Sequence, residues 1–148
     1  MAPLVVLAAL FALLRILGYF QIPVAFGWWT SLRFALVGMF LLTASAHWGR
    51  RRPDLIRMVP TAFPRPDLLV TVTGVLEILG AMGLLLTKVA PYAALGLAIM
   101  LVAIFPANIH AARQRLTIGD RPVTPLLPRP LLQIVFVGAT IAVLVGGK

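Results

Sequence analysis

The chain has 148 residues, with 13 Lys+Arg against 4 Asp+Glu, no Cys, 61% hydrophobic and 11% charged residues. An ordinary soluble domain carries about 45–50% apolar and about 25% charged residues, so a disordered chain and a soluble globule are both excluded, and a small polytopic membrane protein remains. The lack of Cys removes disulfides, thiol relays, thiolate metal sites, iron–sulfur clusters and c-type haem attachment.

Five apolar runs follow one another, over residues 4–20, 31–48, 68–86, 91–109 and 131–145. A bilayer core needs about 17–25 helical residues, and only helices satisfy their own backbone in lipid without closing a barrel. The expectation is an all-α bundle in a single membrane domain, residues 1–148. Arg15 interrupts the first run. That run has no basic leader and no Ala-x-Ala site before a polar start, so it reads as a retained helix rather than a cleaved signal peptide. The linker over 21–30 holds Pro23, Gly27 and the pair Trp28–Trp29, which suits a membrane–water boundary. The segment 49–67 is basic and Pro-rich, and it contains Arg-Pro-Asp-Leu twice, beginning at Arg52 and at Arg65. Pro followed by Asp starts helices. The first copy predicts one interfacial turn through Met58, and the second opens the third span. The stretch 87–90 is a tight turn, and Pro91 opens the fourth helix. The segment 111–130 is again basic, broken by Pro122, Pro125, Pro128 and Pro130.

Orientation follows from charge. Arg50, Arg51, Arg52, Arg57, Arg65, Arg113, Arg115, Arg121 and Arg129 fall in the two basic loops, against Arg33, Lys88 and Lys148 on the other side. This bias predicts a multi-pass cell (plasma) membrane protein with both basic loops and the N-terminus in the cytoplasm and the C-terminus outside. The same placement makes the charge an orientation signal rather than a nucleic-acid surface, and the lipid bilayer is the expected partner.

Glu77 is the most telling residue. It lies near the middle of the third run, where an acid is costly unless it is paired, protonated or facing a polar cavity. Gly74 and Gly80, three residues to either side, let another backbone approach, so Glu77 faces protein. It reads as a proton-accepting or ligand-binding carboxyl, or else as an interhelical hydrogen bond that fixes packing. Arg15 and Glu77 lie about twelve and about ten residues from the same end of their runs, which makes them equal in depth at ~1.5 Å per residue. A buried Arg15–Glu77 pair is therefore one expectation; the other is Arg15 snorkelling outward beside Tyr19 and Gln21. His47 ends the second run and His110 follows the fourth, next to Asn108 and close to Pro106, which should loosen the helix and free a carbonyl. Thr43 lies one turn before His47. His47, Asn108, His110 and Asp54 are thus candidates to line one pocket, with Glu77 deeper, or each His is an interfacial donor. The two His could also serve a b-type haem, but no ligand spacing supports a metal site, and none is expected. No phosphate loop, nucleophile elbow or dinucleotide fingerprint is present.

Several stretches carry a family resemblance: Ala44-Ser45-Ala46-His47-Trp48; Arg52-Pro53-Asp54-Leu55 with Met58-Val59-Pro60; Thr73-Gly74-Val75-Leu76-Glu77-Ile78-Leu79-Gly80-Ala81-Met82-Gly83; and Phe105-Pro106-Ala107-Asn108-Ile109-His110-Ala111. In this order, over about residues 33–133, the chain resembles the DoxX-like family of small membrane proteins. The resemblance implies a four-helix core, to which this chain adds an N-terminal transmembrane helix. The family's late aromatic cluster is missing at 134–139. Some relatives are linked to quinone-coupled oxidation, so the resemblance implies a quinone as the cofactor and a redox partner protein as electron donor. In that reading Glu77 handles the proton, with His47, Asn108 and His110 orienting the polar end. The other reading is a non-catalytic scaffold or small-solute carrier. Five short helices enclose little volume, which makes a homo-oligomer plausible.

Overall fold

A computed structural model describes residues 2–20, 27–114, 117–118, 121–122 and 128–146. The described helices are α1 (Ala2–Tyr19), α2 (Trp28–Ser45), α3 (Arg52–Met58), α4 (Pro66–Leu85), α5 (Ala90–Ala103), α6 (Phe105–Arg113) and α7 (Pro128–Gly146). A two-residue ladder, β1 (Thr117–Ile118) with β2 (Arg121–Pro122), pairs antiparallel between α6 and α7.

Helices α3, α4, α5 and α6 each carry Pro in the first turn, where its missing N–H costs nothing. Arg65 caps α4 with a φ of 56°. Pro66 disfavours the right-handed helical region for the residue before it, and the left-handed alternative costs an L-residue roughly 1–2 kcal/mol.

The order of packing is a ring. Helix α2 packs on α4, α4 on α5, α5 on α7, and α7 returns to α2; α1 lies outside the ring against α2. Small residues allow the close approach: Ala35, Ala81 and Ala94 are fully buried, with Leu36, Met39, Phe40, Leu84 and Val143 filling the space between. The outward residues are as apolar as the inward ones. Leu79 (61% exposed), Ile99 (61%), Ile134 (66%) and Val145 (67%) would form an aggregating surface in water and fit hydrocarbon instead. Helices α1, α4 and the stretch Ala90–Arg113 are long and apolar enough to cross a membrane, and Leu131–Gly146 is a shorter apolar helix. Helix α2 begins with Trp28, Trp29, Thr30 and Ser31 and carries Arg33, but α1, α4 and α7 cover it, so protein replaces lipid around much of it. Exposed aromatics stand at both ends, Tyr19, Trp28, Trp29 and Tyr92 at one and Trp48 and Phe63 at the other.

Three elements differ from the sequence reading. Helix α7 starts three residues early, so Pro128 and Pro130, expected as breakers before it, lie in its first turn, where Pro is tolerated. Helix α2 starts and stops about three residues early. Its end tightens where the Ala46 and His47 amides donate to Thr43 and Ala44, at 3.1 and 2.9 Å, leaving His47 in the turn beyond the helix. The fourth run is not one straight helix. It breaks at Ile104, and Pro106 sits in the first turn of α6. At this break the Gln133 side-chain amide, from α7, donates to the carbonyl of Leu101.

Candidate functional site

Helices α2 and α4 run antiparallel, and two short spacings meet across their contact. Thr43 and His47 lie four residues apart at the end of α2; Gly74 and Glu77 lie three apart on α4. Thr43 stands at the level of Glu77, and His47 at the level of Gly74.

Glu77 is 5% exposed. Its carboxyl meets the hydroxyl of Thr43, while Oε2 is buried without a hydrogen-bond partner. The Thr43 hydroxyl also donates to the Phe40 carbonyl at 2.9 Å. A hydroxyl has one proton, so the Thr43 hydroxyl donates either to the Phe40 carbonyl or to the Glu77 carboxylate, one at a time. At ~100° per residue Gly74 and Gly80 flank Glu77 by about 60° on each side. They admit different neighbours: an added Cβ would meet His47 and Trp48 at Gly74, and Leu97 of α5 at Gly80. Glu77 therefore faces protein, as its flanking glycines indicate.

The His47 ring is 8% exposed and lies over Gly74, edge-on to Trp48 with centroids 6.0 Å apart. Its Nδ1 is buried without a partner. Burial first, and then the positive charge of Arg52, hold the imidazole below its ordinary pKa. Arg52 ties this turn to α4. Its Nη1 donates to the His47 carbonyl at 2.9 Å, and its Nη2 to the Thr71 hydroxyl at 2.8 Å and the Asp67 carbonyl at 3.2 Å.

The remaining sequence candidates lie elsewhere. Asp54, on α3, pairs with Arg57 of the same helix. Asn108 and His110 are on α6, which packs against α3, α5 and α7. Helix α3 is the bridge, because it touches both α4 and α6. Glu77 and His47 thus meet at the α2–α4 contact, while Asp54 lies on α3 and Asn108 and His110 on α6, which packs against α3.

The expected Arg15–Glu77 pair is not formed. The Arg15 guanidinium stands 5.5 Å over the Trp28 ring, which also receives the edge of Phe11. Trp28 opens α2, whereas the Glu77 partner Thr43 is near its close, about 22 Å away at 1.5 Å per residue. Counting depth from the ends of runs assumes that all spans begin on one plane. They do not: α4 projects beyond the end of α2 by the length of residues 66–73, which lowers Glu77 relative to Arg15.

Sequence reasoning missed three contributors. Arg52 looks like its neighbours Arg50 and Arg51, and only the fold separates it from them. Thr71 and Gln133 carry no motif, though a polar side chain in an apolar helix is a general signal of interhelical bonding. Among the described residues, no group of three or more His, Asp or Glu is placed to hold a metal ion.

The arrangement is that of a polytopic helical membrane protein with a small polar group at one helix contact. The chain belongs to the family described as Domain of unknown function (DUF8561), which it matches over residues 36–144. That stretch runs from within α2 to within α7, taking in His47, Glu77 and most of the ring, and leaves out α1. Neither the curated proteins nor the solved structures gave a match.

Proposed function

We propose that the chain is a DoxX-like, quinone-associated subunit of a membrane redox system, with its polar ligand group served by Glu77 and His47. The observation that supports this most is the pair of buried, unpartnered polar atoms, Glu77 Oε2 and His47 Nδ1, on one helix contact. Unsatisfied buried polar atoms are costly and call for a ligand or a catalytic use. A ligand with oxygen atoms that accept and donate fits both.

When bound, a quinone would supply two-electron, two-proton chemistry. The chain's own part is to hold and move a proton. Glu77 is the proton-bearing carboxyl. Thr43 fixes one side of it by a hydrogen bond. His47 is kept in one orientation by Gly74, Trp48 and the bond from Arg52 to its carbonyl. Asp54 on α3 and Asn108 and His110 on the adjoining α6 would serve the path between ligand and solvent. Electrons come from a redox partner protein at the basic end, which faces the cytoplasm in this reading, with the N-terminus on that side and the C-terminus outside.

The alternative, a scaffold or small-solute carrier, draws on the tight cover of His47 and Trp48 over Gly74, which a packing role alone would explain. One experiment separates the two. The protein is purified in mild detergent as wild type and as Glu77→Gln, and co-purifying small molecules are identified by mass spectrometry. A stoichiometric quinone that is lost in the variant is the expected result. Bulk lipid alone in both preparations overturns the redox reading and makes Glu77 a packing residue.

A further inference from the structure

The arginines at 50, 51 and 52 are adjacent in sequence and separate in space. Arg52 turns inward to His47, Thr71 and Asp67. Arg50 and Arg51 remain exposed, and among the described residues neither guanidinium has an ion pair or a hydrogen bond. Both line a shallow concavity of about 270 Å³, together with Leu42, Ser45, Ala46 and Gly49. It contains no acid, and nearby Asp54 is engaged by Arg57.

The two ends of this concavity differ in chemistry. Leu42 is an exposed apolar residue of the last turns of α2, and in a bilayer it would meet acyl chains. Ser45 bonds back to the Leu42 carbonyl at 2.7 Å, so the helix end offers no unpaired hydroxyl proton there. Arg50 and Arg51 lie beyond the end of α2, where a membrane-spanning helix would leave hydrocarbon for headgroups. The concavity is smaller and more open than the roughly 300–1,000 Å³ clefts that enclose small ligands. It suits a group that is anchored elsewhere by its tail.

We propose that this concavity is a binding site for one anionic phospholipid, its phosphate held by Arg50 and Arg51 and its first acyl carbons against Leu42. Guanidinium forks match phosphate oxygens, and basic pockets beside membrane helices select anionic headgroups. Each such residue contributes about fivefold to binding, so losing both should weaken it roughly 25-fold.

The test uses the purified full chain in a neutral detergent, with phosphatidylglycerol, phosphatidylcholine or inorganic phosphate added, read by native mass spectrometry. Two variants of equal charge change are compared, Arg50→Gln/Arg51→Gln and Arg65→Gln/Arg113→Gln, after circular dichroism shows both to be as helical as the wild type. All four residues are exposed. The expected result is a one-to-one phosphatidylglycerol adduct in the wild type and in the second variant, and its roughly 25-fold weakening in the first. Equal weakening in both variants overturns the proposal in favour of bulk charge. Equal retention of phosphatidylcholine overturns the role of the phosphate's net charge, and displacement of the adduct by inorganic phosphate overturns the lipid as occupant.

Discussion

Replacing Gly74 by Ala probes the fit between the end of α2 and α4 directly. The new Cβ would lie 2.7 Å from both Cβ and Cγ of His47 and 2.8 Å from Cη2 of Trp48. Carbon atoms pack at about 3.5–4.0 Å, so the two elements must part by about 1 Å. Overpacking of this kind costs about 1–3 kcal/mol, and the better helix propensity of Ala returns about 0.5–1 kcal/mol. The net loss is then about 0–2.5 kcal/mol. Gly138 supplies the reference, since an added Cβ there meets nothing within 4 Å and the propensity gain stands alone. The two variants should differ by roughly 1–3 kcal/mol in favour of Gly138→Ala. Thermal loss of helical ellipticity, followed in one detergent for wild type and both variants, measures this difference while holding the solvent constant. If Gly74→Ala melts at or above Gly138→Ala, the close contact of His47 and Trp48 with α4 is wrong, and with it the orientation of His47.

Three further outcomes are expected. Arg52→Ala removes bonds to His47, Thr71 and Asp67 and should cost about 1–3 kcal/mol, with faster proteolysis of the segment 49–65; Arg52→Lys, which lacks the planar fork, should recover only part of it. Gln133→Leu leaves the Leu101 carbonyl at the Ile104 break without its donor and should lower stability by roughly 0.6–1.7 kcal/mol in the same melting assay. Because His47 has a lower pKa in the folded protein than its ordinary 6.5, the unfolded chain binds the proton first as the pH falls. The contribution of the neutral imidazole is complete above about pH 6.5 and is lost as the pH drops from there through the lowered folded value, so Arg52-intact His47→Gln should flatten the acid limb of a melting-against-pH curve that the wild type shows.

What could be read in advance divides along physical lines. Apolar length is a property of the local chain, so the helices emerge near the runs that announced them, and Pro53–Asp54 and Pro66–Asp67 mark where α3 and α4 begin. The inward face of Glu77 was legible because two glycines flank it. Relative height between helices was not, because it depends on where a neighbour stops; hence Arg15 lies over Trp28 instead of beside Glu77. Nor was azimuth after a break. Pro106 announced a loosened helix, but whether Asn108 and His110 would lie toward α2 or toward α3 is decided by α6 packing on α3, α5 and α7. Arg52 shows the same limit at the level of one side chain, since nothing in a run of three arginines says which one turns inward.

The ring has an implication for the order in which the protein is made. The contacts α2–α4 and α4–α5 join helices close in the chain, but α2 meets α7 across nearly the whole sequence. Until the last helix of the ring has entered the bilayer, the flank of α2 that α7 will cover stays open to lipid or to other proteins. Gly146, near the end of α7, seats against the Trp29 ring at the start of α2, and Val143 and Thr140 are buried one and two turns earlier. The unfinished protein, with that flank open, is therefore the form on which an insertase or a membrane protease would act.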